Sequence, residues 1–114
     1  MRELARRCPV PVELSIAVAG RLPEPVETAG YYVVSEALAN VAKHAQAMTA
    51  EVHVACCDGS LVIEVADDGV GGADLAAGSG LRGLADRVEA LGGRLSVTGP
   101  PGVGTAVRAE MPCG

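Results

Sequence analysis

The chain has 114 residues, a formal net charge of −5, no Phe, no Trp and two Tyr. That length suits a single domain, 1–114, and its core must come from Val, Leu, Ile and Ala. The acidic balance argues against nucleic acid as a partner, because neutralising its phosphates needs clustered Lys and Arg. No apolar run approaches the ~20 residues that cross a bilayer, so direct membrane insertion is not expected.

A compact anion such as a nucleotide stays open, since backbone N–H groups bind it without net positive charge. The start, MRELARRCPVPVE, lacks the apolar stretch of a signal peptide. Cys8, Cys56, Cys57 and Cys113 show no C-x-x-C spacing. Cys56 and Cys57 are neighbours on a predicted strand and point to opposite faces, which disfavours a shared metal. Reduced, mostly buried thiols in a cytoplasmic domain are the expectation.

In chain order, PVELSIAVA alternates, with Val12, Leu14, Ile16 and Val18 on one face and Glu13 and Ser15 on the other, as in a half-buried strand. GRLPEP punctuates, and Pro25 suits the first turn of a helix. From about Val26 to Gln46 the period is helical. Val34, Ala37, Leu38, Val41 and Ala45 make one stripe, and Glu36, Asn40, Lys43 and His44 make the opposite one. AEVHVACCDGSLVIEVAD reads as a hairpin turning at Asp58-Gly59. A Gly- and Ala-rich loop runs from Asp68 to Gly80. LRGLADRVEALGG is a second amphipathic helix with Leu81, Leu84, Val88 and Leu91 inward, stopped by Gly92-Gly93. RLSVTG and GTAVRAEM close the chain as two strands around PPGVG. This order predicts an α+β two-layer sandwich: a mixed, mostly antiparallel sheet with helices on one face.

Four clusters carry chemistry. Glu36, Asn40 and His44 recur at i, i+4 and i+8 with Lys43 beside them. The row is a solvated polar face, or else a site where a carboxylate activates a nucleophile, an amide ligates Mg²⁺ and cations steady phosphates. In VADDGVGGAD, strand parity puts Asp67 with Leu61, Ile63 and Val65, and Asp68 with Glu64. An inward Asp67 needs a donor, and either a nearby backbone N–H or the exocyclic amine of a purine supplies one. Gly69, Gly71 and Gly72 would let a flat ring approach the backbone. A calcium loop through Asp67, Asp68 and Asp74 does not fit the EF-hand spacing. GSGLRGL places Gly78, Gly80 and Gly83 around a helix start, where N–H groups favour phosphate. No parallel βαβ unit surrounds it, so a dinucleotide reading fails. PPGVGT, by itself, is a hairpin turn ending in Thr105.

Together and in this order these pieces resemble the ATP-binding module of sensor histidine kinases, gyrase, Hsp90 and MutL (the GHKL, or Bergerat, fold). EALANVAKHA is similar to the N box, ADDGVGG to the G1 box, GSGLRGL to the G2 box and GVGT to the last Gly-Thr element. SEALANVAKHA, GSGLRGLADRVEALGGRLSV and GTAVRAEMP most resemble nitrate-sensor-type (NarL-associated) histidine kinases. The resemblance implies that Glu36 is the catalytic N-box carboxylate that positions or activates the nucleophile, Asn40 the Mg²⁺ ligand and Asp67 the partner of the adenine amine. Gly69 and Gly71 would line the base pocket, Gly78, Gly80 and Leu81 would lie near the phosphates, and Thr105 would back the adenine. Lys43 and His44 would be phosphate neighbours. ATP and Mg²⁺ are then the implied cofactors.

The stretch between the G1 and G2 boxes is short and has no Phe, so a short ATP lid is expected. The family's phosphoaccepting histidine lies on a separate helical domain, and His44 and His53 do not match it. The implied partners are therefore ATP, that dimerisation and phosphoacceptor domain, joined through a remnant at about residues 1–10, and a response regulator. The parent protein could be membrane-anchored. The rival readings are an anti-sigma-factor-type serine kinase, a gyrase- or Hsp90-like clamp and a non-catalytic relic that binds a partner.

Overall fold

Two residues that tolerate a left-handed backbone set up the centre of the sheet. Asp58 and Gly59 have φ of 51° and 77°, the pattern of a type I′ turn, whose twist matches that of the strands it joins. In the computed structural model, which describes residues 2–8, 10–18, 20, 22–44, 48–69, 81–98 and 104–113 (backbone only at 2, 42–44, 57 and 81), the elements are α1 (Arg2–Arg7), β1 (Val12–Ala17), α2 (Glu24–His44), β2 (Ala50–Cys57), β3 (Ser60–Asp67), α3 (Leu81–Glu89), β4 (Arg94–Thr98) and β5 (Thr105–Pro112). The five strands form one sheet in the order β1-β2-β3-β5-β4. Only the β1–β2 pairing is parallel. The predicted mixed, mostly antiparallel sheet is observed.

Alternation sorts the sheet into two faces. Val52, Val54, Leu61, Ile63, Val65, Val107, Ala109 and Met111 are buried against the helices. The outer face carries Glu51, His53, Glu64, Arg108 and Glu110, all at least partly exposed. Arg108 faces Glu64 across the β3–β5 ladder at 3.8 Å, an exposed pair of small energetic weight. The core is aliphatic as composition required, with Met111 added.

Val34, Ala37, Leu38 and Val41 of α2 are buried as predicted, but so are Val26, Ala29 and Val33. α2 packs against β3 and β5 on one side and α3 on another, so it buries a wider arc than a single sheet contact requires. The helix begins two residues before the predicted Val26, runs through Gly30 and is described to His44; Ala45 and Gln46 lie outside the described residues.

α3 is shorter than predicted because its cap begins at once. Gly93 N–H donates to the Val88 carbonyl and Gly92 N–H to that of Glu89, with Gly92 at φ 81°; this is a Schellman cap. Leu84 and Val88 are buried and Leu91 half-buried. A side chain at Gly93 would strike the Glu110 carbonyl oxygen, Met111 and Val88, so glycine is what lets α3 turn directly into β4.

Two expectations need correction. Ile16 of β1 is 45% exposed rather than inward; β1 is an edge strand, paired on one side only, to β2. Among the described side chains the thiols are not mostly buried: Cys56 is exposed, and Cys8 and Cys113 are half-buried. The helix α1 was not foreseen. It is too short to show a helical period, and Leu4 packs it onto the core.

Candidate functional site

Asp67 ends β3 on the same face as Leu61, Ile63 and Val65, and it is half-buried. Its register partners are Ala50 on β2 and Thr105 on β5. Asp67 Oδ1 accepts the Gly69 N–H at 2.8 Å, an Asx turn that fixes the carboxylate's orientation. Oδ2 receives no hydrogen bond from the described residues. The backbone donor considered from sequence thus takes one oxygen, and the other receives no bond from the described residues.

Asp68 does different work. It is exposed, and its carboxylate accepts Met48 N–H at 2.8 Å, Thr49 N–H at 3.0 Å and the Thr49 hydroxyl at 3.1 Å. Its own N–H donates to the Thr49 carbonyl at 3.4 Å. The Thr49 and then the Met48 backbone N–H groups hold its carboxyl below the ordinary value of 3.8. Asp68 therefore ties the approach to β2 onto the end of β3. Sequence parity separated the two aspartates correctly but did not find this tie, which joins residues about twenty positions apart.

Gly104 is the residue that sequence reasoning underrated. Its φ is 96°, and an added Cβ would run into the Asp67 carbonyl oxygen. The chain just before Thr105 thus presses against the backbone of Asp67 at a distance only glycine permits. The signal was present in GVGT, but a hairpin turn explained it equally well.

On α2, Glu36 and Asn40 stand one turn apart and both are half-buried. The expectation that this row lies directly opposite the apolar stripe is corrected. Val33, two turns before Asn40, is fully buried, and Asn40 Nδ2 is itself buried with no hydrogen-bond partner. A buried amide is ordinarily satisfied, so this one is suited to a group from outside the chain. Turning the amide over presents Oδ1 instead, and an oxygen donor of this kind suits Mg²⁺. Lys43 and His44 continue the row along α2, but their side chains lie outside the described residues.

The two helices are antiparallel. Arg87 of α3 lies over the Tyr32 ring, 4.4 Å from its centroid. Ala90 and Leu91, just past α3, line a groove with Glu24 and Pro25 at the start of α2. Six residues back from Arg87 is about 9 Å along a helix, which carries the N-terminus of α3 at Leu81 alongside the Glu36–Asn40 part of α2. Residues 45–49 link His44 at the end of α2 to Ala50, the register partner of Asp67. The register sets Asp67 beside Thr105, and the packing of the helices sets the start of α3 alongside the Glu36–Asn40 part of α2. The Leu81 side chain, Gly71, Gly78, Gly80 and the short-lid expectation lie outside the described residues. His53 is on the outer face of β2, 3.4 Å from Glu51 and away from this cluster.

The comparisons with known proteins agree with this geometry. Residues 26–114 match the family model of histidine kinase-, DNA gyrase B- and HSP90-like ATPases. The chain belongs to this family. This ATPase domain is 37% identical over 98 residues to the oxygen sensor histidine kinase NreB of Staphylococcus carnosus, covering 82% of the chain and 28% of the relative. It is 45% identical over 87 residues to the sensor histidine kinase NarS of Mycobacterium tuberculosis, covering 70% and 20%. The domain thus spans about a quarter of the length of these relatives. The Erythrobacter litoralis EL346 blue-light activated histidine kinase superposes with a TM-score of 0.80 at 25% identity, over 98% of this chain and 39% of that one. The ATP-binding domain of PrrB from Mycobacterium tuberculosis has the same fold, with a TM-score of 0.74 at 21% identity over 99% and 88%. The resemblance to nitrate-sensor-type kinases is consistent with NreB and NarS, and no helix of the described residues is long and apolar enough to cross a membrane.

Proposed function

We propose that this ATPase domain is the catalytic domain of a cytoplasmic sensor histidine kinase module. It holds ATP for transfer of the γ-phosphoryl group to a histidine on a separate dimeric helical domain, and the phosphoryl group then passes to a response regulator. The observation that carries the reading is Asp67: a half-buried carboxylate, oriented by Gly69 N–H, with one oxygen unpartnered among the described residues, beside Thr105 and the close-packed Gly104. The family supports ATP use.

In this reading Asp67 Oδ2 accepts the adenine amine, and Gly69 and Gly71 leave room for the ring. Thr105 backs the base. Gly78, Gly80 and Leu81 offer N–H groups at the start of α3 to the phosphates, with Lys43 and His44 as cationic neighbours. Asn40 holds Mg²⁺, which when bound neutralises phosphate charge and steadies the chain for in-line transfer. Glu36, one turn from Asn40, orients the acceptor imidazole and takes up its proton. The protein's contribution is mainly positioning.

The test uses the isolated domain and the parent protein. Calorimetry should find Mg²⁺-dependent binding of a non-hydrolysable ATP analogue, and Asn40→Ala should chiefly remove the Mg²⁺ dependence. In the parent, Glu36→Gln should keep analogue binding while losing acid-labile phosphorylation. A domain that ignores the analogue at saturating Mg²⁺ would refute the proposal.

A further inference from the structure

Cys56 and Cys113 lie outside the proposed nucleotide site, and nothing in that reading uses them. Cys56 shares the parity of Val52 and Val54 on β2, and Cys113 follows Ala109 and Met111 on β5, so both face the helix side of the sheet. β3 stands between these strands. What brings the thiols together is the hairpin turn. Past Pro112 the chain runs along that turn, and Cys113 N–H donates to the Gly59 carbonyl at 2.8 Å. The two Sγ atoms are then 2.8 Å apart. Cys56 is exposed and Cys113 half-buried, so a small solute reaches the pair.

Two touching thiols can share a metal or a bond. Zinc–thiolate bonds of about 2.3 Å in a tetrahedral site hold two sulphurs roughly 3.8 Å apart, well beyond this contact. Among the described residues no group of three or more His, Cys, Asp or Glu could hold a metal ion. A disulfide needs sulphurs at about 2.05 Å, which is under about 1 Å of further approach.

We propose that Cys56 and Cys113 are an oxidation site, which a peroxide converts to an intramolecular disulfide that staples the end of β5 to the end of β2. Cys56, the exposed partner, attacks hydrogen peroxide; the O–O bond breaks, leaving a sulfenic acid and one water. Cys113 Sγ then attacks the sulfenic sulphur, the S–O bond breaks, and the departing hydroxide takes the Cys113 proton as a second water. The pair loses two hydrogens and the peroxide is reduced. Hydrogen bonding to Cys56, and then burial, push the Cys113 thiol above its ordinary range, in keeping with its role as the second thiol to react.

Asp67 stands at the other end of β3, seven residues from Ser60, or about 24 Å along a strand. Oxidation should therefore stabilise the domain without disturbing the nucleotide site. The experiment treats the chain with a slight excess of hydrogen peroxide and reads intact mass, melting temperature and ATP-analogue affinity. Wild type and Cys57→Ser should each lose the mass of two hydrogens, and Tm should rise by roughly 10 °C, reversibly with a phosphine reductant. Cys56→Ser should show no such loss, and analogue affinity should stay within about twofold. Fragmentation of the bridged wild-type peptide assigns the sulphurs even if a variant fails to fold. Unchanged mass, oxygen addition alone, or a bridge through Cys57 or Cys8 would overturn the proposal.

Discussion

The two ends of β3 are built from the same kind of strand and finished in opposite ways. At the Ser60 end, Asp58 and Gly59 make a turn that closes the ladder, and Gly59 takes a backbone hydrogen bond from Cys113. At the Asp67 end, Gly104 presses on the backbone and a half-buried carboxylate keeps one oxygen unpartnered among the described residues, while α2 carries an unpartnered buried amide. An unpaired buried polar group costs free energy. Among the described residues, the buried side-chain polar atom left without a partner is Asn40 Nδ2, on the helix proposed to face the nucleotide. The lesson is that incomplete satisfaction, more than polarity, separates a site from an ordinary strand end.

Substitutions at the two ends should therefore fail differently. The largest effect is expected for Gly104→Val, which combines a left-handed φ with a collision against the Asp67 carbonyl. It should destabilise by about 3 kcal/mol or more in denaturant unfolding and abolish analogue binding. Asp67→Asn should lower analogue affinity about 10- to 100-fold in calorimetry, from loss of a charge-assisted bond, and leave Tm nearly unchanged. A loss of stability matching the loss of binding would make Asp67 structural instead. At the opposite end, Gly59→Ala meets nothing within 4 Å but must hold a left-handed φ. It should cost about 1 kcal/mol in urea unfolding and leave affinity unchanged. If affinity also fell, the ends would not be independent.

The smallest effect concerns Asp68. Asp68→Asn keeps an acceptor for the Met48 and Thr49 N–H groups, and its amide can donate to the Thr49 hydroxyl, so affinity and Tm should stay near wild type. Asp68→Ala should lower Tm by a few degrees. The folded carboxyl sits below its unfolded value of 3.8. Its contribution to stability is therefore complete above about that pH and is lost as pH falls through the folded value. Tm measured down an acid series should drop more steeply for wild type than for Asp68→Asn. Parallel curves would remove the ionic part of this tie.

Much of this contrast is legible in the amino-acid sequence. Strand parity separates Asp67 from Asp68, and the Asp58-Gly59 pair announces its turn, because both signals are local and depend on adjacent residues. The half-burial of Asn40 is not legible there. A stripe on one helix says which face is apolar, but not that α3 covers a second side and widens the buried arc. The contact between Cys56 and Cys113 is equally hidden, because alternation assigns a face without saying which strand ends meet.

The amino-acid sequence by itself determined every element except α1, most of their inward residues, and the order of the boxes that mark this ATPase family. Period, turn chemistry and glycine placement are properties of neighbouring residues, and they survive without tertiary context. Only the tertiary structure decided which groups remain unsatisfied. It left Asn40 Nδ2 and Asp67 Oδ2 without partners among the described residues while pairing Asp68 and both thiols. Hydrogen-bond satisfaction depends on what the fold brings alongside each atom, and that is fixed by strand order, register and helix packing rather than by position in the chain.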